Sequence, residues 1–205
     1  MESVDIINEF FEFVGTDNLL NSVRLNPNAF TRKSAMEFKN LVCFMLTRGS
    51  DNTTVELDKY SNDVGIQPVS RQAYSLSRQQ IDPVVFKYLN NWLVEKIYAF
   101  QEYKTWNDYL ILAIDGVLLD LPWVEELKEE YGGKTNNSDE IEAISARSSG
   151  LYDCLNNMMI NFEIEPYKTS EKTLAIKNIE NSLKTIQGKN PLIIFDRYYA
   201  SLDII

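Results

Sequence analysis

Along this chain of 205 residues the hydrophobic positions change period about halfway. Up to about residue 103 they recur at helical spacing. Ile6, Phe10, Phe11 and Val14 share one helical face, as do Phe38, Leu41, Val42 and Met45. Ser34-Ala-Met-Glu37 and Thr53-Thr-Val-Glu56 each read as a capping box, in which a hydroxyl and a carboxylate satisfy the free N–H groups of a first turn. Ser70 is expected to cap a short helix over residues 71–78. Asp82-Pro83 places a cap and a first-turn proline ahead of Phe86, Leu89, Leu93 and Ile97. Residues 1–103 are therefore expected to form a small helical domain.

From about residue 108 the pattern is that of strands. Tyr109 to Ile114 is a short continuous apolar run, the kind a strand buried on both faces shows. Val117 to Leu121 follows Gly116 and stops before Pro122, as a hairpin partner would. The acidic stretch over 125–142 reads as a solvated helix or loop. Residues 144–152 and 156–165 read as strands. Thr169 or Ser170 caps a helix that carries Leu174, Ile176, Ile179, Leu183 and Ile186 mostly on one face, and Gly188 and Pro191 close it. Leu192 to Phe195 is a second buried-type strand. The expected order is β-β-β-α-β, in which a right-handed crossover helix returns the last strand parallel to an earlier one. The fold class is α+β with an α/β crossover: a helical domain over 1–103, then a partial mixed sheet over 104–205.

Composition narrows the chemistry. There is no histidine, and Cys43 and Cys154 lie far apart. Ser-His-Asp and Cys-His catalysis, haem ligation by His and Cys/His zinc sites are thereby excluded. Carboxylates, hydroxyls, Lys, Arg or a metal held by oxygen remain. Two isolated thiols suit a reducing compartment. The N-terminus has no basic segment followed by an apolar one, and the longest apolar runs are six residues, so neither a signal peptide nor a membrane span is expected. These features predict a cytoplasmic protein. The net charge of −10 alone disfavours nucleic acid. It is uneven, however: residues 1–100 carry −2 and residues 101–205 carry −8, while residues 21–50 hold Arg24, Arg32, Lys33, Lys39 and Arg48 against Glu37 alone.

Both buried-type strands end in aspartate, at Ile114-Asp115-Gly116 and Phe195-Asp196-Arg197. Parallel neighbouring strands would bring the two carboxylates out side by side. Bare anions so placed repel each other, and a divalent cation removes that cost. Mg²⁺ accepts a few carboxylates with water and phosphate oxygens, and a pair of such ions roughly 3.5–4 Å apart suits phosphodiester displacement. An aspartate at a strand end also serves as a turn former or helix cap.

At these residues the sequence resembles the DDE transposases of bacterial insertion sequences, in particular the family-four insertion-sequence group with a ribonuclease H-like catalytic domain. The segments that carry the resemblance are Ile114-Asp-Gly116 with Leu119-Asp-Leu-Pro122, Ala146-Arg-Ser-Ser-Gly-Leu-Tyr-Asp153 with Leu155-Asn-Asn, Pro166 and Glu171, and Ile194-Phe-Asp-Arg-Tyr-Tyr199. In the first half they are Phe30-Thr-Arg-Lys33, Phe38-Lys-Asn-Leu-Val42, Val69-Ser-Arg-Gln-Ala-Tyr74 and Arg78. The resemblance implies a ribonuclease H-like sheet, with Asp115 and Asp196 as the first two metal-binding acids and Mg²⁺ or Mn²⁺ as cofactor. Its third acid is a glutamate on a helix well downstream. This chain runs nine residues past Asp196, so the expectation is a truncated catalytic domain, inactive by itself. Glu140, Glu142, Asp120 or Asp153 would replace that acid only with unusual geometry, and Asp120 and Asp153 are read as structural or as support for the pair. Val117 stands where the group has a small hydroxyl residue, and Tyr198 where it has glycine.

The function expected from the resemblance is DNA transposition: cutting and joining of transposon-end DNA by metal-dependent phosphoryl transfer when complete, within the nucleoid. The alternative is a non-catalytic DNA-binding or regulatory remnant that pairs with intact transposase or with itself. In either case Arg24, Arg32, Lys33, Lys39, Arg48, Arg71, Arg78 and Lys87 would engage phosphates, with a log–log salt slope on the order of −7 if all eight made contact. Arg197 pairs with Asp196 or a phosphate. A self-sufficient metal nuclease is a third possibility. A sheet left with one open edge and one open face predicts self-association.

Overall fold

A computed structural model of the protein describes residues 3–100, 103–136 and 140–199. The chain divides into two compact units, Met1–Leu89 and Asn90–Ile205. The first unit is built from α1 (Ser3–Val14), α2 (Asp17–Val23), α3 (Phe38–Thr47), α4 (Thr53–Val64), α5 (Arg71–Arg78) and the start of α6 (Val85–Ala99). Its core takes Val14, Leu19, Leu41, Val42, Leu57, Val85 and Leu89, and Phe44 sets its ring edge-on to Tyr60 and Tyr74, 5.5 and 5.0 Å between centroids. Local chemistry sets the ends of these helices. The Thr16 hydroxyl accepts from the Leu19 N–H, the Ser70 hydroxyl from the Ala73 N–H, and Gly65 closes α4 at φ 69°, a left-handed position that suits glycine.

Three helix starts differ from expectation. Ser34 does not cap α3. Glu37 is its N-cap without a side-chain bond, because residues before it form a strap that buries Met36 and whose Ala35 carbonyl accepts from the Asn40 amide. At α4 the cap is Asn52, one residue before the expected box. Its carboxamide oxygen takes the Thr54 N–H, while Glu56 accepts from the N–H groups of Gly49 and Asp51. Helix α6 begins at Val85 because Asp82 first closes a tight turn, accepting the Val84 N–H on its carboxylate.

The second unit contains β1 (Leu110–Asp120), α7 (Glu125–Tyr131), β2 (Gly133–Thr135), β3 (Ile141–Asp153), β4 (Met158–Pro166), α8 (Glu171–Ile186), β5 (Pro191–Phe195) and a 3₁₀ turn at Arg197–Tyr199. The five strands form one mixed sheet, so the fold is α+β. Residues 146–153 of β3 pair antiparallel with both β1 and β4, which places those two strands on opposite edges of β3. The crossover helix α8 then brings β5 parallel to β1.

Two expectations for this sheet need correction. Gly116 does not end a strand or start a hairpin. β1 runs through it without a break, paired from Leu112↔Asp153 to Asp120↔Ser145. The small residues Ser148, Ser149 and Gly150 across the ladder permit the close approach, and a Cβ on Gly116 would stand 3.2 Å from the Ser148 carbonyl oxygen. Nor are the apolar strands buried on both faces. Leu110, Leu112 and Ile114 are buried with Ala175 and Ile186 of α8, whereas Ile111 and Ala113 on the opposite face are half-exposed. On β5, Leu192 and Ile194 are exposed. A helix covers only one face of a sheet, so period-two burial replaces the two-sided pattern.

Polar side chains fix the packing of α8 and the β3–β4 turn. The buried Asn178 amide donates to the Ser149 carbonyl and hydroxyl at 2.7 and 2.9 Å and accepts from Asn161. Lys177 pairs with Glu163 and Glu165. Asp153, fully buried, accepts on one oxygen from the Leu155 and Asn156 N–H groups and on the other from Tyr98 Oη and Asn156 Nδ2. Among the described residues no helix is long and apolar enough to cross a membrane.

Candidate functional site

The parallel register between β1 and β5 runs from Leu110↔Pro191 to Ile114↔Phe195. Asp115 is the next residue on β1, and Asp196 is the first residue after β5. They therefore leave the two strands side by side at one end of the parallel pair. Both are exposed. Only β5 stops there, because β1 continues along β3 for five residues past Asp115. Asp115 Oδ1 accepts from the Gly116 N–H at 2.8 Å, which holds the carboxylate against its own backbone. Asp196 opens the 3₁₀ turn, its carbonyl accepting the Tyr199 N–H at 3.0 Å.

That turn drives Tyr199 inward. It is 2% exposed, with its ring 5.8 Å from that of Phe195. The phenol oxygen and Glu171 Cγ both lie 3.3 Å from the point where Gly116 would carry a Cβ. Burial first, then the charges of Glu171, Asp115 and Asp196, push the Tyr199 phenol up to about 12, against the opposing charge of Arg147. Arg147 in turn forms an ion pair with Glu171, both half-buried, and its guanidinium lies 5.8 Å from the Tyr167 ring. Glu171, Arg147 and Tyr199 thus gather on the α8 side of the sheet at Gly116, while Asp115 lines the open side with Ala113 and Val117. Of the residues at this end the sequence gives a role to Asp115 and Asp196 only, while Arg147, Glu171 and Tyr199 stand within the segments that carry the resemblance. The signals for the others are an arginine within the otherwise small-residue run Ala146–Gly150 and an acid directly after the Ser170 cap.

The remaining acids lie elsewhere. Asp153 pairs across the ladder with Leu112, and its oxygens are taken up by the turn. Asp120 lies at the other end of β1 and accepts from the Ser145 hydroxyl. Glu140 is bound to Asn136, and Glu142 is exposed at the start of β3. Among the described residues no group of three or more His, Cys, Asp or Glu is gathered closely enough to hold a metal ion. The pair Asp115 and Asp196 fits an ion that takes one or two carboxylates and fills its other positions with water and phosphate oxygens, as Mg²⁺ and Mn²⁺ do. Beside Asp115 the open face of the sheet forms a shallow, mostly apolar depression of about 260 Å³, floored by Ala113, Val117, Gly150, Tyr152, Met159 and Phe162. The Tyr198 side chain lies outside the described residues.

The basic residues separate into groups. Arg32, Lys33 and Lys39, all exposed, line a cleft of about 350 Å³ together with Asp17 and Glu37. Arg24 is half-buried as the C-cap of α2, where its backbone bridges to Ile81. Arg48 is the exposed C-cap of α3, and Lys87 is exposed on α6. Arg71 and Arg78 are exposed at the two ends of α5, Arg78 lying 6.0 Å from the Tyr74 ring. Arg197 is exposed in the second unit, next to Asp196. Comparison with known proteins finds no family model that matches the chain and no matching curated protein.

Proposed function

We propose that the protein acts on DNA by phosphoryl transfer in the manner of a DDE transposase, with Asp115 and Asp196 as two of its metal-binding acids. The observation that supports this reading is the parallel register, which ends at Ile114↔Phe195 and so makes Asp115 and Asp196 the residues that follow on two adjacent strands. The strand arrangement lends further support. An antiparallel β1, β3 and β4 followed by a crossover helix and a strand parallel to β1 is the order expected of a ribonuclease H-like sheet.

Each residue has a definable part. Asp115 offers oxygen ligands from the rigid interior of a strand, and Asp196 offers them from the adjoining turn. Tyr199 stays protonated far above neutral pH, so it adds no negative charge beside Glu171. Arg147 neutralises Glu171 and limits the repulsion among the acids. Mg²⁺ or Mn²⁺, when bound, supplies Lewis-acid stabilisation of the charge that develops on the phosphoryl oxygens. Arg32, Lys33 and Lys39, which line one cleft of the first unit, hold the DNA backbone. The partners of this reading are transposon ends and target DNA, with a second copy or an intact transposase as protein partner, in the bacterial nucleoid.

A second reading, a DNA-binding or regulatory module without catalysis, is favoured by the absence of a three-ligand group among the described residues. Calorimetric titration of Mn²⁺ with and without DNA separates the two. If phosphate oxygens complete the ion's coordination, DNA raises the Mn²⁺ affinity and Mn²⁺ raises the DNA affinity by the same factor. Phosphoryl transfer predicts that coupling and its loss in both Asp115→Asn and Asp196→Asn. DNA binding indifferent to Mn²⁺ and to both substitutions would reject it in favour of the module.

A further inference from the structure

In the first unit a cleft of about 630 Å³ lies between the loop before α3 and helix α5, within the size range of small-ligand sites. The residues on its walls that matter are Asn28, Phe30, Arg32, Leu76, Ser77 and Gln80. Local bonds fix the loop wall. The Asn28 N–H donates to the Asn26 carboxamide at 2.9 Å, the Thr31 hydroxyl donates to the Asn28 carbonyl at 2.9 Å, and the Phe30 ring packs edge-on against Phe38. Phe30 holds φ 59°, an uncommon conformation for a bulky residue and one that concentrates at binding sites. The opposite wall is tied to the end of α2, where the Leu25 N–H donates to the Gln80 carbonyl at 2.9 Å and the Asp82 N–H to the Val23 carbonyl at 2.7 Å. The cleft is thus formed in advance of any ligand.

Its chemistry selects the ligand. Residues 18–36 and 64–81, which supply both walls, hold Arg24, Arg32, Lys33, Arg71 and Arg78 and no Asp or Glu. On the walls themselves Arg32 is the charged residue, with Asp17 and Glu37 beside it in the adjoining cleft, so the cleft offers one cation to one phosphate. Helix α5 buries only Tyr74, and Leu76 is 56% exposed against this cleft, so packing of the core does not account for the leucine. An aromatic ring and a leucine give a flat ligand apolar contact. The carboxamides of Asn28 and Gln80 offer donors and acceptors together, which the edge of a nucleobase requires. Bases stacked inside a duplex cannot enter a cleft, whereas an unpaired base can.

We propose that this cleft binds an unpaired nucleotide of a DNA strand, with its phosphate on Arg32 and its base against Phe30 and Leu76. The cleft is distinct from the carboxylate pair and does not depend on that pair being catalytic. The test is fluorescence anisotropy on the full chain with two labelled DNAs, a blunt duplex and the same duplex with a short single-stranded overhang, and with a free deoxynucleoside monophosphate as competitor. The overhang is expected to bind about tenfold more tightly than the blunt duplex, the worth of one stacked base. Arg32→Ala and Leu76→Ala, both exposed and outside the core, should each remove most of that advantage, and Leu183→Ala, exposed on α8, should leave it intact. Equal binding of the two DNAs, no binding, or an advantage that survives both substitutions would overturn the proposal. So would competition by the free mononucleotide at the concentration at which the overhang itself binds, which would make the cleft a site for free nucleotides.

Discussion

Replacing Asp153 by alanine should destabilise the second unit strongly without touching the carboxylates at the end of β5. The carboxylate accepts four hydrogen bonds, from the Leu155 and Asn156 N–H groups at 3.1 Å each, Tyr98 Oη at 2.9 Å and Asn156 Nδ2 at 2.7 Å. Bonds to a charged acceptor contribute about 1.5–3 kcal/mol each, but these four share one acceptor group and do not add. Alanine also removes the cost of keeping a carboxylate out of water. The turn amides regain water more readily than Tyr98, which is 5% exposed and loses its partner outright. The net loss is expected to be about 3–5 kcal/mol, the range seen when one partner of a buried charged pair is deleted. That lowers the melting temperature of the second unit by more than about 10 °C. Asparagine retains an oxygen for the two backbone donors and the Tyr98 hydroxyl can rotate to accept from its amide, but that amide then opposes the Asn156 Nδ2 donor, so the cost should be smaller than that of alanine and not zero. Circular dichroism melts of the three proteins provide the ranking. The tyrosinate absorbance of the folded Asp153→Asn protein adds an independent readout, because the Tyr98 phenol is raised first by burial and then by its bond to Asp153. An Asp153→Ala protein that melts within about 2 °C of the wild type would refute the structural role.

Other expectations follow from the same geometry. Arg147→Met leaves Glu171 half-buried without that ion pair, costs about 1–3 kcal/mol in a denaturant melt, and raises the Tyr199 phenol further, since the charge of Arg147 lowers it. Tyr60 and Tyr199 are both pushed up to about 12, chiefly by burial. Their folded values lie above the ordinary phenol range, so the stability they contribute is fully present below about pH 10 and is lost as pH rises towards about 12. Urea midpoints measured across that window should fall steadily, and a flat profile would contradict the burial of these phenols. DNA binding should weaken with salt at a log–log slope of about −3, because one cleft gathers only Arg32, Lys33 and Lys39; a slope near −7 would mean that the scattered cations converge on DNA as well.

The placement of Asp115 and Asp196 was legible because it follows from few facts: two short apolar runs, a helix of crossover length between them, and the handedness that returns the second strand beside the first. The partners of that pair were not. Glu171, Arg147 and Tyr199 come from three different elements, and only the register of β3 and the 3₁₀ turn after β5 bring them to Gly116. Gly116 itself misled for a physical reason. A glycine after an apolar run usually marks a turn, and here it permits a close approach to Ser148 and Tyr199 within a strand. Both expected capping boxes failed for a related reason. Ser34 and Thr53 satisfy the pattern, but tertiary packing of Met36 and the better cap Asn52 decided where the helices begin. The one-sided burial of β1 and β5 depends on which elements cover the sheet, which no window of sequence contains.

The central claim is that Asp115 and Asp196 jointly hold a divalent cation. Paramagnetic Mn²⁺ titrated into the isotopically labelled protein tests it directly, because broadening of backbone amide signals locates the ion. The account predicts selective broadening around Ile114–Gly116 and Phe195–Arg197 at low Mn²⁺, abolished by Asp115→Asn and by Asp196→Asn alike. Broadening centred on the acidic helix Glu125–Tyr131, or unchanged in both variants, would contradict it.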